Sequence, residues 1–164
     1  MNKVILFVSF LLIIWFFIPI YEKPRVLKSV LSEDECKHIQ DIASKKLHTS
    51  TVSKSRDTDE SIRKSETAWL KAGGFYKPHQ DCFKDDKNKR MYTFIIALND
   101  EYEGGETEFP NINKKYRLEK GDVLFFNTLN NYECVTKKAL HGGTQVKSGE
   151  KWVCNLWVRK YKYP

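Results

Sequence analysis

The amino-acid sequence predicts a mainly β domain with one leading α-helix, preceded by an apolar segment at the amino terminus. Three observations predict this architecture. A run without charge occupies residues 4–20. A helix-capping sequence at residue 32 opens a stretch with helical periodicity, and short apolar runs separated by turn residues follow from residue 73 onward. A β sandwich and a β barrel both fit these strands.

The composition is typical of one folded domain. The chain has 164 residues, of which 41% are hydrophobic and 13% aromatic, and only eight are glycine. This apolar content is enough for a core and excludes a disordered or collagen-like chain. Lys and Arg outnumber Asp and Glu by 28 to 21, but the cations alternate with acids, as in KSRDTDESIRK. We therefore interpret the positive charge as solvated surface and expect no nucleic-acid partner.

The amino-terminal apolar run predicts a transmembrane helix. Residues 4–20 read VILFVSFLLIIWFFIPI, close to the shortest helix that spans the hydrocarbon core of a bilayer. No small-residue cleavage site follows, which favours an uncleaved signal anchor over residues 1–21 rather than a removed signal peptide. Lys3 on one side and Lys23 and Arg25 on the other leave the orientation open. We expect a single-pass protein of the endoplasmic-reticulum membrane with a lumenal domain.

The predicted helix begins at a capping box, Ser32-Glu33-Asp34-Glu35, and runs to about Lys46. Apolar residues at helical spacing predict one buried face, formed by Cys36, Ile39, Ile42 and Ala43. Residues 48–66 are polar and are predicted to form a loop. We therefore divide the chain into three parts: the membrane segment at 1–21, a helical support with a polar loop at 22–72, and the β domain at 73–164.

Three strands are predicted in the β domain, each rich in β-branched or aromatic residues. They cover residues 92–98 (YTFIIAL), 123–127 (VLFFN) and 152–159 (WVCNLWVR). The turn-rich sequences NDEYEGG at 99–105 and KGD at 120–122 separate them. Because alternate residues of a strand share a face, Lys151, Val153, Asn155 and Trp157 are predicted to point to one side of the last strand.

Two histidines and one aspartate form the clearest candidate metal site. His79 and Asp81 are two residues apart, so an extended strand turns both side chains to the same face. His141, which two glycines follow, is a candidate third ligand. Two histidines and one carboxylate on one face of Fe(II) leave three positions open, which suits a bidentate keto acid and dioxygen. His38 and His48 are interpreted as surface residues.

A keto acid such as 2-oxoglutarate has a second carboxylate, remote from the metal, that needs a buried cation. Lys151 lies ten residues after His141 at the start of the last predicted strand. If His141 faces the interior, Lys151 is placed to do so as well. The combination of an HxD sequence, a distal His and this Lys is more specific evidence for an iron and keto-acid site than any one of them. The residues alone still leave an unrelated arrangement open.

Eight blocks of sequence, in order along the chain, carry a resemblance to a family of enzymes. They are LSEDEC (31–36), IRKSETAWL (62–70), GGFYKPHQD (73–81), RMYT (90–93), GGETEFP (104–110), KGDVLFF (120–126), HGG (141–143) and KWVCNLW (151–157). In these blocks the chain resembles the prolyl 4-hydroxylase alpha-subunit-like family of Fe(II)/2-oxoglutarate dioxygenases. The resemblance covers nearly all of the chain after residue 21.

The resemblance implies a double-stranded β-helix, or jelly roll, with iron at one mouth. By position, His79, Asp81 and His141 would ligate the iron. Lys151 would pair with the distal carboxylate of 2-oxoglutarate, and Thr107 would hydrogen-bond to it. The implied cofactors and cosubstrates are Fe(II), 2-oxoglutarate, dioxygen and L-ascorbate. Lys at position 151 is typical of the collagen-type prolyl enzymes, whereas related lysyl hydroxylases and nucleic-acid demethylases usually place Arg at this position.

Three further residues fall where the family contacts its proline-containing peptide substrate. They are Tyr76, Arg90 and Trp157. For the two aromatic residues the alternative is a place in the hydrophobic core, and for Arg90 it is an ordinary surface charge. The resemblance therefore predicts hydroxylation of prolyl residues in peptides or proteins. Hydroxylation of another residue, such as lysine, is an alternative.

The chain departs from the family after Leu70. The family has a helix there and then a strand with a Tyr that helps to hold 2-oxoglutarate. Here Lys71 and Ala72 lead directly into Gly73, and Leu70 stands about where that Tyr would be. A lost strand would leave a sheet edge unpaired and one wall of the cosubstrate pocket thin. A membrane-anchored family member that has lost turnover is therefore a second alternative.

Overall fold

The computed structural model describes residues 17–45, 63–64 and 69–162 of the chain. Most of the predicted membrane segment, most of the polar loop and His48 lie outside the described residues. Within those ranges, no helix is both long and apolar enough to cross a membrane. All four cysteines belong to the described part, and there each one is a free thiol.

Helix α1 covers Glu33–Ser44 and begins where the capping box predicts. The Glu35 backbone amide donates to the Ser32 hydroxyl at 3.3 Å, and the Ser32 amide donates to the Glu35 carboxylate at 2.8 Å. The predicted buried face is wrong at Ile42, which is 49% exposed, whereas Cys36 is fully buried. The helix packs on the domain near its first turn, where the Cys36 thiol contacts the Ala97 carbonyl oxygen at 3.8 Å. Helical spacing predicts which residues share a face, but a neighbouring element has to cover that face.

Eleven strands form two antiparallel sheets within the described residues. They are β1 (Arg25–Leu27), β2 (Arg63–Lys64), β3 (Trp69–Lys71), β4 (Phe75–His79), β5 (Arg90–Ala97), β6 (Tyr102–Gly104), β7 (Thr107–Phe109), β8 (Lys114–Tyr116), β9 (Val123–Asn127), β10 (His141–Gly143) and β11 (Val146–Arg159). The first sheet has the order β1-β9-β5-β11-β3, with β6 paired to the start of β11, and the second has the order β2-β4-β10-β7-β8. This mainly β, antiparallel architecture is consistent with the jelly-roll fold of oxygenases.

The predicted strands are found, and the last one is longer than predicted. Strand β9 has the predicted bounds, and β5 begins two residues before the predicted start. Strand β11 begins at Val146, six residues before the predicted start, because its first part pairs with β6 and β3. That first part reads VKSGEK, a polar sequence without strand propensity. Its pairing partners, rather than its own residues, make it a strand.

Aromatic and aliphatic side chains between the two sheets form one buried core. Its buried members are Ile95, Ala97, Phe109, Leu118, Leu124 and Phe126. Phe109, at the end of β7 in the second sheet, meets Phe126 of the first sheet edge to face, with ring centroids 5.0 Å apart. The core therefore joins the two sheets at the place where the second sheet carries His141.

Strand β3 occupies the sheet edge at which the sequence indicates a missing segment. It pairs with β11, and Leu70 lies opposite Lys151 in that pairing. The edge beside Lys151 is therefore hydrogen-bonded to another strand. The residue that faces Lys151 across the pair is aliphatic, so this position supplies no phenol hydroxyl to a ligand.

A glycine in the turn before β9 is required by its backbone conformation and by its surroundings. Gly121 has φ +82°, and a Cβ there would lie 2.2 Å from the Leu31 carbonyl oxygen. We expect Gly121→Ala to lower the free energy of unfolding by more than about 2 kcal/mol, because the left-handed conformation and the steric clash both oppose a side chain. Urea denaturation measures this loss.

Gly73→Ala is the matched control for that substitution. Gly73 has φ +85°, but nothing lies within 4 Å of a Cβ built there. We expect this variant to lose only the conformational part, about 1–2 kcal/mol. Equal losses in the two variants would show that the contact with Leu31 is unimportant.

Candidate metal centre and active site

The structure brings the three predicted metal ligands together at one end of the two sheets. His79 ends β4, His141 begins β10, and the two residues lie opposite each other in the antiparallel pair. Asp81 follows β4 by two residues and is buried. The Nε2 atoms of His79 and His141 lie 3.7 Å from Oδ1 and Oδ2 of Asp81, respectively. The three side chains offer ligand atoms that all lie within 4.8 Å of one another.

Both histidine rings are oriented by backbone carbonyl groups. His79 Nδ1 lies 3.0 Å from the Lys77 carbonyl oxygen, and His141 Nδ1 lies 3.1 Å from the Ala139 carbonyl oxygen. Because a carbonyl oxygen only accepts hydrogen bonds, each Nδ1 carries the proton and donates it. Each Nε2 therefore has its lone pair available on the side of Asp81. This is the ring orientation that metal-ligating histidines usually have.

Hydrogen bonds to one oxygen of Asp81 orient its carboxylate. Oδ2 accepts from the Thr93 hydroxyl at 2.7 Å and from the Trp157 indole N–H at 3.1 Å. Burial by itself raises the pKa of Asp81, but charge attraction to the protonated form of His141 and the hydrogen bond from the Thr93 hydroxyl outweigh burial and hold the pKa below its ordinary value. The carboxylate is thus ionised at neutral pH, with its Oδ1 on the side of His79.

His141 is surrounded by aromatic rings. The centroids of Phe126 and Phe109 lie 4.7 and 5.6 Å from the centroid of its imidazole. Burial lowers the pKa of His141, and the Asp81 carboxylate and the Ala139 carbonyl oppose that effect only in part. The ring is therefore neutral at physiological pH, the state in which an imidazole ligates a metal. Two imidazoles and one carboxylate on one side of a shared point are a donor set that suits Fe(II).

Tyr76, Arg90 and Trp157 surround the cluster at its open side. The Tyr76 ring stacks on the His79 ring, with centroids 3.9 Å apart. The Arg90 guanidinium lies 4.0 Å above the Trp157 ring and donates to the Asp81 carbonyl oxygen at 3.2 Å. Trp157 is 39% exposed and Tyr76 half-buried, so neither belongs to the core between the sheets. The structure thus places all three beside the metal ligands.

Lys151 is a buried cation on the first sheet. It is 6% exposed, and its Nζ donates to the Gly105 carbonyl oxygen at 2.7 Å. Burial, reinforced by the positive charge of Arg117 and opposed by Glu106, lowers the pKa of Lys151 from 10.5 to about 8. Thr107 is buried two residues beyond Gly105.

This buried cation is linked to the metal cluster through two neighbouring strands. Thr107 of β7 pairs with Gly143 of β10, and Gly143 lies two residues after His141. Thr107, to which the resemblance gives a hydrogen bond with the distal carboxylate of 2-oxoglutarate, therefore lies on the strand next to the one that carries His141.

Two residues that support the site were not predicted from the sequence. Thr93 lies at an inward position of β5, and its polar side chain within an apolar strand was the available signal. The Arg117 guanidinium donates to the backbone carbonyl oxygens of Gly104, Asp100 and Tyr102, and so holds the segment before the Lys151 partner Gly105. Nothing in the sequence near Arg117 indicates this role, because its partners lie 13 to 17 residues away.

Comparison with known proteins agrees with this donor set. The profile described as "2OG-Fe(II) oxygenase superfamily" matches residues 65–159. The chain belongs to the 2OG-Fe(II) oxygenase superfamily. Members of this superfamily use Fe(II), 2-oxoglutarate and dioxygen. A putative prolyl 4-hydroxylase of Acanthamoeba polyphaga mimivirus is 30% identical over 187 aligned positions, which cover 87% of this chain and 76% of that protein.

Other relatives of this oxygenase are also of the prolyl 4-hydroxylase type. Prolyl 4-hydroxylase 13 of Arabidopsis thaliana is 34% identical over 111 residues, or 56% of this chain and 40% of that protein. The viral collagen prolyl hydroxylase of Paramecium Bursaria Chlorella virus-1, solved in complex with 2OG, superimposes with a TM-score of 0.67 at 28% identity, over 84% of this chain and 96% of that one. The mimivirus alignment has more positions than this chain has residues, so that relative contains residues that this oxygenase lacks.

The first glycine after His141 allows the two histidine strands to approach each other. A Cβ on Gly142 would lie 2.7 Å from the Tyr76 carbonyl oxygen and 2.9 Å from the Pro78 nitrogen. We expect Gly142→Ala to separate β10 from β4 and to lower the affinity for Co(II), a spectroscopic substitute for Fe(II), by about 10- to 100-fold, as loss of ligand orientation typically does. Visible absorption during Co(II) titration measures this.

Gly143→Ala is the control on the neighbouring residue. A Cβ on Gly143 would meet Tyr76 atoms at 3.7 and 3.8 Å, which is ordinary van der Waals contact. We expect this variant to bind Co(II) like the unaltered protein. Equal losses in both variants would contradict the interpretation that close approach at Gly142 positions the ligands.

Trp157 is expected to support metal binding through its indole N–H. Trp157→Phe keeps a ring under the Arg90 guanidinium but removes the hydrogen bond to Asp81 Oδ2. We expect Co(II) affinity, measured without peptide or cosubstrate, to fall about 10-fold. An unchanged affinity would restrict the role of Trp157 to the open side of the site.

Proposed function

We propose that this oxygenase hydroxylates prolyl residues of peptides or proteins, with iron held by His79, Asp81 and His141. The observation that supports this most directly is the convergence of two oriented imidazoles and one ionised carboxylate in a domain that also buries the cation Lys151. The names of the relatives, which are prolyl 4-hydroxylases, support the choice of prolyl residues as the substrate class.

Different residues of this chain bind the metal and 2-oxoglutarate and exclude water from the site. When bound, Fe(II) and 2-oxoglutarate supply the activation of dioxygen. His79, Asp81 and His141 would hold the Fe(II) ion and leave coordination positions for the cosubstrate and dioxygen. The ammonium group of Lys151 binds the distal carboxylate of 2-oxoglutarate, and the Thr107 hydroxyl donates a hydrogen bond to it. The aromatic residues beside His141 keep water from that side of the site.

The open side of the site is suited to a proline-containing segment. Proline-rich peptides adopt an extended helix and are bound by grooves lined with aromatic side chains. Here Tyr76 and Trp157 supply the rings, and the Arg90 guanidinium lies over Trp157 and donates to the Asp81 carbonyl oxygen. In this arrangement the aromatic residues would hold the proline ring beside the three metal ligands.

Three further features belong to this proposal. L-ascorbate serves as the reductant that restores iron oxidised in turnovers without substrate. The apolar amino-terminal segment anchors the protein in a membrane, which its length and lack of charge over residues 4–20 support. The anchored protein lies in the endoplasmic-reticulum membrane with its catalytic domain in the lumen.

Mass spectrometry of proline-rich peptides tests the proposed activity. The protein is incubated with peptide, Fe(II), 2-oxoglutarate and ascorbate, beside the variant His79→Ala. We expect a gain of one oxygen atom on proline and matching release of succinate, both absent from the variant. Oxygen gained only on lysine-containing peptides would support a lysyl hydroxylase instead. Peptide binding with neither oxygen gain nor succinate release would indicate a binding protein without turnover.

A further inference from the structure

The residues that continue the apolar amino-terminal segment are bound to the loop between β9 and β10. The Ile20 backbone amide donates to Asn131 Oδ1 at 2.7 Å, and the Asn131 amide donates to the Ile20 carbonyl oxygen at 3.0 Å. Phe17, Ile18 and Ile20 remain exposed, Phe17 by 70%. The chain therefore leaves the folded domain at this loop, with apolar side chains on its outer side.

This exit point lies at the same end of the domain as the metal ligands. The loop that contains Asn131 leads into β10, whose first residue is His141. The Lys89 ammonium donates to the Glu133 carbonyl oxygen in the same loop at 2.8 Å. Lys89 precedes Arg90, which contacts Asp81. The attachment of the amino-terminal segment and the opening of the metal site are thus neighbours on one edge of the domain.

The residues around the exit point, of which Lys89 is half-buried and the others are exposed, combine aromatic, aliphatic and cationic side chains. We call this surface the amino-terminal rim and define it by Phe17, Ile18, Ile20, Lys89, Tyr132, Lys160 and Tyr161. Lys160 forms an ion pair with Glu133, and its Nζ lies 5.7 Å from the centre of the Tyr161 ring. Aromatic residues beside lysines are typical of the interface between a bilayer and water, where the rings lie among the head groups and the ammonium groups reach water or lipid phosphate.

We propose that the amino-terminal rim lies on the lipid surface, so that the opening of the metal site faces the membrane in which the protein is anchored. This inference rests on the membrane anchor of the proposed function. The rim continues directly from the apolar run that ends at residue 20, so an anchored chain brings the rim, rather than another surface, to the bilayer.

The orientation limits which substrates reach the site. Tyr161 lies four residues after Trp157, so at most about 13 Å of chain separates the rim from the opening. Ser148 lies nine residues before Trp157, near the start of β11, so up to about 30 Å of chain separates it from the opening on the other side. The segment to be hydroxylated must therefore come close to the bilayer, as a peptide that is itself tethered to the membrane or lies along its surface does.

Two labelled positions on the full-length chain test this orientation. Cys134 is exposed and lies two residues after Tyr132 in the rim, so it accepts a fluorophore in a Cys154→Ala background. The control carries Cys134→Ser and Ser148→Cys in the same background, which moves the label to the far end of β11. Both proteins are reconstituted in vesicles that contain nitroxide-labelled lipid head groups. We expect several-fold stronger quenching at position 134 than at position 148, and a reduced difference in the variant Tyr132→Ser/Tyr161→Ser/Lys160→Glu.

The outcomes separate this inference from the anchor. Vesicle-bound protein with equal quenching at both positions, or with stronger quenching at 148, overturns the orientation and leaves the anchor standing. Position 134 is also tested for shielding from iodide. If it is as well shielded in lipid-free protein as in vesicle-bound protein, a second copy of the chain or another protein covers the rim, and the proposed orientation is overturned. Protein that does not sediment with vesicles overturns the anchor and the orientation together.

Discussion

Replacement of Asp81 by asparagine is expected to lower metal affinity by more than about 100-fold and to abolish succinate release. Loss of an outer hydrogen-bond partner costs about 10- to 100-fold in affinity, and a charged ligand contributes more than such a partner. The carboxamide keeps the shape of the side chain but loses the negative charge that the two imidazoles and Thr93 surround. Co(II) titration followed by visible absorption measures the affinity, and a coupled succinate assay measures turnover.

Asp122→Asn is the matched control for the loss of a buried carboxylate. Asp122 is also buried, and its oxygens accept from the Ser29 and Glu119 amides and from Lys28. These partners belong to the turn before β9 and to the segment around β1, not to the metal ligands. We expect this variant to unfold at lower urea concentration and to keep its Co(II) affinity. Loss of Co(II) binding in both variants would mean that the Asp81 effect reports a general loss of folding.

Replacement of Lys151 by methionine is expected to reduce 2-oxoglutarate affinity by about 100- to 1,000-fold, because the distal carboxylate would then be buried without a counter-charge. The aliphatic stem that fills the space beside Gly105 is largely kept. Co(II) affinity should be unchanged, since the Lys151 ammonium is bonded to the Gly105 carbonyl oxygen and not to one of the three metal ligands. Calorimetric titration of the metal-loaded protein with 2-oxoglutarate measures the loss. Lys147→Met, an exposed lysine on the same strand, is the control and should bind 2-oxoglutarate normally.

The lowered pKa of Lys151 predicts that an increase in pH above about 8 weakens 2-oxoglutarate binding and raises the Lys151 contribution to the free energy of unfolding. The free protein has a Lys151 pKa of about 8, so above pH 8 the neutral amine predominates and 2-oxoglutarate affinity should fall about 10-fold per pH unit. Between pH 8 and the ordinary value of 10.5 the unfolded chain binds more protons at this group than the folded one. The Lys151 contribution to the free energy of unfolding therefore increases with pH over that window.

A second variant identifies the group responsible for this pH dependence. Lys151→Arg keeps a cation that does not titrate in this range, so the decline in affinity above pH 8 should disappear even if the affinity itself is lower. A decline of equal slope in Lys151→Arg would assign the titration to another residue.

The sequence predicts those features that depend on residues close together in the chain. Ser32 and Glu35 cap α1 because their side chains bond to backbone groups three residues away. Strand β9 has the predicted bounds because its apolar residues are buried on both faces of the pair it makes with β5. The HxD spacing places His79 and Asp81 on one side because strand geometry is local.

Features that depend on distant partners could not be predicted in this way. Ile42 shares the helical period of Cys36, yet it is 49% exposed, whereas Cys36 is fully buried. The polar start of β11 is a strand only because β3 and β6 pair with it. Thr93 and Trp157 meet on the same oxygen of Asp81 although they lie 12 and 76 residues from it in the chain.

The sequence by itself determined the donor set of this oxygenase: two histidines, an aspartate at HxD spacing, and a lysine ten residues after the second histidine. It also determined that an apolar segment precedes the domain. Only the tertiary structure decided that backbone carbonyls fix both imidazoles, that Lys151 is buried against Gly105, and that the amino-terminal segment leaves the domain beside the metal site. The physical reason is that residue type and spacing set what a side chain can do chemically, whereas burial, proton position and direction depend on strands that the fold brings together from distant parts of the chain.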